Sequence, residues 1–213
     1  MLNPKIENLI KKKSKSKIVC LTAYSKNIAK NIDPYSDLIL VGDSLGSVLY
    51  EFNTTRLVTL DMMINHSKSV KQGITKSLMV VDMPYQTYRN KSEALKNAKK
   101  IAKDTKCDAV KLEGGTKIIP IIKHLIQNNI NVMGHIGILP QSVKGKFKVK
   151  GKNLREQNQL MKDAKALEQV SERFVCLHLR QGADLKGNKS LGCIQNKAQN
   201  KRLVGAKCSM HAH

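Results

Sequence analysis

Leu38-Ile39-Leu40-Val41-Gly42-Asp43-Ser44-Leu45-Gly46 is the stretch on which the reading of this chain turns. Its apolar residues form an unbroken run instead of alternating with polar ones, as expected of a strand buried on both faces of a parallel sheet. The run stops at glycine, which permits a tight turn, and Asp43 and Ser44 stand at the point where the strand ends. The same plan recurs along the chain. Apolar runs at 18–23, 37–41, 78–81, 109–112 and 130–133 lead into Thr22-Ala23-Tyr24, Gly42-Asp43-Ser44, Asp82-Met83-Pro84, Lys111-Leu112-Glu113-Gly114-Gly115 and Gly134-His135-Ile136-Gly137.

Helix patterns separate the runs. Thr59 is placed to cap a helix running towards Gly73, with Asp61 in its first turn. Ser92 is expected to cap another, with Leu95, Ala98, Ile101 and Ala102 on one face. Pro120 sits early in a third, where proline is tolerated, and Asn153 with Glu156 resembles the capping box of a fourth. Strand and helix in alternation mean an α/β fold. Periodicity alone leaves a doubly wound sheet and a barrel indistinguishable, but the polar strand ends separate them. In a (β/α)8 TIM barrel the C-terminal strand ends form one mouth, so these residues would converge on a single cleft. Such barrels usually need about 250 residues, and this chain has 213. About five to six strand-helix units are recognisable, so the expected barrel is incomplete.

Lys and Arg number 38 against 16 Asp and Glu, a formal net charge of +22. The lysines are spread along the chain, which favours a lysine-rich solvated surface over a nucleic-acid partner. Five cysteines without a CxxC pair argue against a disulfide framework and for a reducing compartment. No apolar run approaches the roughly 18 residues of a membrane span, so a cytoplasmic protein is expected. Neither GxGxxG nor a P-loop pattern is present, which leaves no dinucleotide or phosphate-loop site.

The chemistry at the strand ends is that of hard oxygen ligands. Asp43, Asp82 and Glu113 carry no accompanying cysteine or second histidine, so Mg²⁺ suits them better than Zn²⁺. Lys111 can pair with a substrate carboxylate or a developing enolate oxygen, and His135 can hydrogen-bond the same oxygen. The plain structural alternatives are an ion pair from Lys111 to Glu113 or Asp82, and a core histidine bonded to backbone.

These segments resemble the ketopantoate hydroxymethyltransferases of pantothenate biosynthesis. The matching stretches lie at residues 17–24, 39–46, 80–84, 110–115, 132–137 and 139–143, followed by a lysine-glycine segment at 147–152. The likeness runs from the N-terminus to about Glu168. It implies an enzyme moving a hydroxymethyl group from 5,10-methylenetetrahydrofolate to 3-methyl-2-oxobutanoate, an α-keto acid, to give 2-dehydropantoate. It implies a Mg²⁺ site at Asp43, Asp82 and Glu113, the last through water. Substrate contacts are implied at Asp43, Ser44, Asp82 and Lys111, with His135 nearby, and family members assemble as homodecamers.

The resemblance also implies a later strand ending in a glutamate, the family's general base. Here residues 174–179 could form that strand, but no glutamate closes it, and Glu172 stands before it. No general base is therefore assigned, and His178 within the run is read as a chance residue. Residues 1–168 are expected to hold the barrel portion and the site. Residues 169–213 form an atypical basic tail, polar and rich in Lys and Asn, in which Cys193, Cys208, His211 and His213 match no zinc spacing. A frameshift near residue 169 is the hypothesis for the change. Reading the same DNA in its other two frames is expected to restore an apolar strand ending in Glu. If neither frame does, the frameshift explanation is wrong.

Two other functions compete with the transferase. One is a Mg²⁺-dependent α-keto-acid barrel of the phosphoenolpyruvate mutase and isocitrate lyase type. The other is a basic nucleic-acid-binding protein, resting on Lys144 to Lys152 with Phe147 among the lysines. The first also uses strand-end carboxylates, but the cysteine-bearing catalytic loop of the lyases is missing; the second leaves the five strand-end motifs unexplained.

Overall fold

A computed structural model describes residues 4–12, 15–142 and 150–170, and the backbone of residues 174–178 and 207–208. Strands β1 (Val19–Thr22), β2 (Leu38–Val41), β3 (Leu78–Asp82), β4 (Ala109–Glu113), β5 (Val132–Gly137) and β6 (Phe174–His178) lie side by side in chain order, all parallel. A further short strand, β7 (Lys207–Cys208), pairs outside β1. A doubly wound sheet reverses its strand order at a switch point, and from β1 to β6 there is no reversal. The sheet is rolled: Cα atoms of β6 and β7, on its opposite edges, come within 8 Å of each other. This is the incomplete (β/α) barrel that the strand ends imply.

Helices α2 (Lys26–Ile32), α4 (Leu60–Lys71), α5 (Lys91–Thr105), α6 (Ile119–Gln127) and α7 (Leu154–Val170) form the outer layer, each packed on the next. Short α3 (Leu45–Leu49) follows β2. The start signals agree with the structure at Thr59, whose hydroxyl accepts from the Met62 amide, and at Pro120, in the first turn of α6. The cap of α5 is Asn90, not Ser92: its side-chain oxygen accepts from the Glu93 amide at 2.9 Å. At α7, Asn153 accepts from Glu156 N, while the Glu156 carboxylate turns to the amides of Gly151 and Lys152. Only half of the expected box forms.

Strand β5 departs further from expectation. It begins at Val132 and runs through Gly137, so His135 lies inside the strand, paired with Glu113 on one side and Cys176 on the other. Pairing with β4 and β6 on both sides carries the strand through Gly134. A side chain at that position would meet Leu167 of α7 at 2.9 Å, so glycine lets helix and strand pack closely.

Side chains alternate across the sheet, and the two sets form two cores. Ile39, Val41, Met79, Val81, Val110, Leu112 and Val132 face the helices and meet Met63, Ile101, Ile122 and Leu167. Leu38, Leu40, Leu78, Val80, Ala109 and Met133 face inward, where α1 (Pro4–Lys11) closes the N-terminal end with Ile6 and Leu9. That helix has no counterpart in the sequence reading.

The N-terminal end of the barrel is pinned by Asp33, which is 3% exposed. Its carboxylate accepts from Thr75 N, Thr75 Oγ1, Lys76 N and Ser77 N, at 2.7–2.9 Å, fastening the entry of β3 to the turn before β2. Burial opposes its ionisation, yet these bonds hold its carboxyl well below the usual carboxylate range. Asp33→Ala leaves the buried Ser77 amide, and the amides of the more exposed Thr75 and Lys76, without this acceptor and is expected to cost about 2 kcal/mol. A urea titration at neutral pH measures it. Because the folded pKa is depressed, this contribution is present above about pH 4 and is lost as pH falls below it.

Candidate active site

The inward row continues past the apolar core. From Leu78 and Val80 it reaches Asp82, from Ala109 it reaches Lys111 and Glu113, and from Met133 it reaches His135. Parity along three adjacent strands therefore delivers four polar side chains to the inside of the C-terminal mouth, all 3–6% exposed. Asp43 joins them from the turn after β2, and its amide donates to Asp82 Oδ2 at 3.2 Å. Gly42 gives the room: a Cβ there would stand 2.9 Å from Ser44 Oγ.

Lys111 Nζ donates to Asp82 Oδ1 at 2.5 Å, both side chains being almost fully buried. One ammonium thus stands among three buried carboxyl groups. The imbalance is visible in their ionisation. Burial first, and then Asp82, push Asp43 up to about 7. Burial, with Asp82 adding repulsion, pushes Glu113 up to about 8 against the pull of Lys111. Burial, reinforced by Lys111, drives His135 down to about 3. The 3.3 Å contact between His135 Nδ1 and Glu113 Oε1 therefore joins a neutral imidazole to a carboxyl that stays protonated at neutral pH, and is not an ion pair.

Ser44, at the start of α3, shares a 2.7 Å hydrogen bond with the Tyr24 hydroxyl. The structure thus brings Asp43, Asp82, Lys111, Glu113 and His135 together, with Ser44 on their rim. Among the described residues, no three His, Cys, Asp or Glu side chains stand as ready-made metal ligands. Asp82 is engaged by Lys111, Asp43 by Gln141, and Glu113 by the Gln141 amide. The donor set nevertheless suits a hard divalent cation, because it gathers three buried carboxyl groups, two of them held back from ionising, whose oxygens a cation would bind as their protons leave.

Two residues in contact with this group escaped the sequence reading. Gln141 Nε2 donates to Asp43 Oδ2 at 2.8 Å, and the Tyr88 hydroxyl donates to Gln141 Oε1 at 2.5 Å. Gln141 lies in a stretch that carried the family likeness, but no rule of residue type singles out a lone glutamine. Lys144, Lys146 and Lys148 of the lysine cluster, and Cys193, His211 and His213 of the tail, lie outside the described residues. No described helix is long and apolar enough to cross a membrane.

Among solved structures the chain resembles phosphonopyruvate hydrolase, solved with oxalate and Mg²⁺. The TM-score is 0.64 at 12% identity, over 85% of this chain and 64% of that one. It also resembles the phosphoenolpyruvate phosphomutase of Streptomyces platensis subsp. rosaceus (TM-score 0.62, 11% identity, 84% and 64% covered). At such identities the likeness is one of fold. Sequence relatives are nearer. The 3-methyl-2-oxobutanoate hydroxymethyltransferase of Pelagibacter ubique is 65% identical over 167 residues, covering 78% of this chain and 65% of that protein. That of a Nitratiruptor species is 50% identical over 160 residues, covering 74% and 60%. The chain thus spans less than two thirds of the length of these relatives. With the family model matched across residues 4–179, the chain belongs to the ketopantoate hydroxymethyltransferase family.

Proposed function

We propose that residues 1–168 carry the metal- and keto-acid-binding part of a 3-methyl-2-oxobutanoate hydroxymethyltransferase site, without its proton acceptor. The observation that supports this best is the buried group of Asp43, Asp82 and Glu113 around Lys111 at adjoining strand ends. Asp43 and Asp82 would hold Mg²⁺ directly and Glu113 through water, as the family resemblance implies. When bound, Mg²⁺ would act as a Lewis acid on the 2-oxo group and lower the cost of removing the C3 proton.

The chain's own residues supply the rest. Lys111 would shift part of its pairing from Asp82 to the substrate and balance charge developing on its oxygen. Ser44, oriented by Tyr24, would hydrogen-bond the substrate carboxylate. His135, neutral at working pH, would meet the same charge without adding its own. The methylene carbon would come from 5,10-methylenetetrahydrofolate. No glutamate closes β6, where the chain reads His178-Leu179-Arg180, so abstraction of the C3 proton has lost its base.

An assay of 2-dehydropantoate formation from 3-methyl-2-oxobutanoate and 5,10-methylenetetrahydrofolate tests this. Turnover near background is expected. Robust turnover would show that another group takes the proton. The phosphoenolpyruvate mutase and isocitrate lyase alternative rests on fold likeness alone, at 12% identity or so against 65% for the transferase of Pelagibacter ubique.

A further inference from the structure

We propose that Gln141 is a positioning residue of this site: its side-chain amide, fixed end for end by Tyr88 and the Met83 carbonyl, orients the Asp43 carboxylate towards a divalent cation. The inference rests on the metal-site reading above.

Gln141 is 3% exposed, and both ends of its side-chain amide are engaged. Its Nε2 donates to Asp43 Oδ2 at 2.8 Å and to the Met83 carbonyl at 2.9 Å. Its Oε1 accepts from the Tyr88 hydroxyl at 2.5 Å, and its backbone amide donates to Glu113 Oε2 at 3.1 Å. The amide's orientation follows from chemistry. A backbone carbonyl only accepts, so the atom facing Met83 O must be the NH2 group, and the other end must be oxygen. Tyr88 then has to donate. Flipping the amide would set oxygen against both Met83 O and Asp43 Oδ2.

The choice of a neutral donor matters. Lysine or arginine here would neutralise the acids and compete with a cation. Glutamate would add another acid to a cluster already short of positive charge. Glutamine orients Asp43 and leaves the charge of the cluster unchanged. It also ties the segment after β5 to the turn after β2 and to the ends of β3 and β4.

The test uses Mn²⁺ as the probe, read by electron paramagnetic resonance on the 213-residue chain and on Tyr88→Phe, Gln141→Ala and the double variant. Groups that orient metal ligands typically account for about 10- to 100-fold in metal affinity, so each single variant should weaken Mn²⁺ binding about tenfold or more. The double variant should bind no more weakly than Gln141→Ala, because Tyr88 acts through Gln141. A purely structural role would lower the urea midpoint without this coupling. Single variants binding within about twofold of the parent, or losses that multiply in the double variant, would overturn the inference. Should Gln141→Ala fail to fold, Tyr88→Phe, which removes one oxygen, decides alone. A parent chain that binds no Mn²⁺ sinks the metal-site reading and this inference together. Binding by the parent with unchanged variants sinks the inference only.

Discussion

Lys111→Met is expected to destabilise the chain by about 3–5 kcal/mol at pH 8, the usual consequence of removing one partner from a buried ion pair. Lys111 and Asp82 are 6% and 7% exposed at their side chains, so water does not screen the loss. The methionine fills much of the lysine's volume, and what disappears is the one ammonium among Asp43, Asp82 and Glu113. Total stabilities of domains lie at about 5–15 kcal/mol, so the change is a large fraction of what holds the fold. The penalty should shrink at pH 5, where Asp43 and Glu113, raised to about 7 and about 8, are both protonated. Urea titrations at the two pH values measure both effects. A loss below about 1 kcal/mol at pH 8 would mean that Lys111 is not what balances the cluster.

The second large effect is the pH dependence of the unliganded chain. Asp43 and Glu113 keep their protons in the fold at pH values where the unfolded chain has released them. Raising the pH therefore favours unfolding. The stability tied to these protons is complete below the ordinary carboxylate range and is lost as pH rises through about 7 and about 8. Each group contributes a slope of up to ~1.4 kcal/mol per pH unit while it titrates differentially. Between pH 5 and 8, without divalent cations, the urea midpoint should fall. Asp43→Asn combined with Glu113→Gln should flatten that fall, since neither amide titrates. Adding Mg²⁺ should oppose the loss increasingly as pH rises, because the ligands must shed their protons to bind. A midpoint that rises with pH and is indifferent to both substitutions would contradict the assignment of these groups.

The interior of the fold was legible in the sequence because short, unbroken apolar runs between turn signals suit strands buried on both faces. Leu38–Val41 and Leu78–Asp82 became central strands, and the polar residues after them reached one mouth. What the runs could not show was where a strand stops when its last residues are not apolar. Gly134 and His135 look like a turn, yet β4 and β6 pair with them on both sides. Likewise Asn90 and Ser92 are both good caps, and only the hydrogen bond to the Glu93 amide separates them. The site was legible where the residue type carries the chemistry, as in Asp82, Lys111 and Glu113. Gln141 was invisible, because its role comes from being 98 residues away in sequence from the Asp43 carboxylate it touches. The ion pair of Lys111 with Asp82 was anticipated as a structural alternative to substrate binding. In the fold it is compatible with both, since the same ammonium can exchange one carboxylate for another.

Central to the proposed function is the binding of an α-keto acid together with a divalent cation by this cluster. Isothermal titration of the 213-residue chain with 3-methyl-2-oxobutanoate at about pH 8.5, a unit or more above the raised carboxyl of Asp43, with and without Mg²⁺, tests it most directly. Binding is expected to require Mg²⁺ and to disappear in Asp43→Asn and Asp82→Asn, even though turnover stays near background. Binding that is equal with and without Mg²⁺, or absent under both conditions from a folded chain, would contradict it.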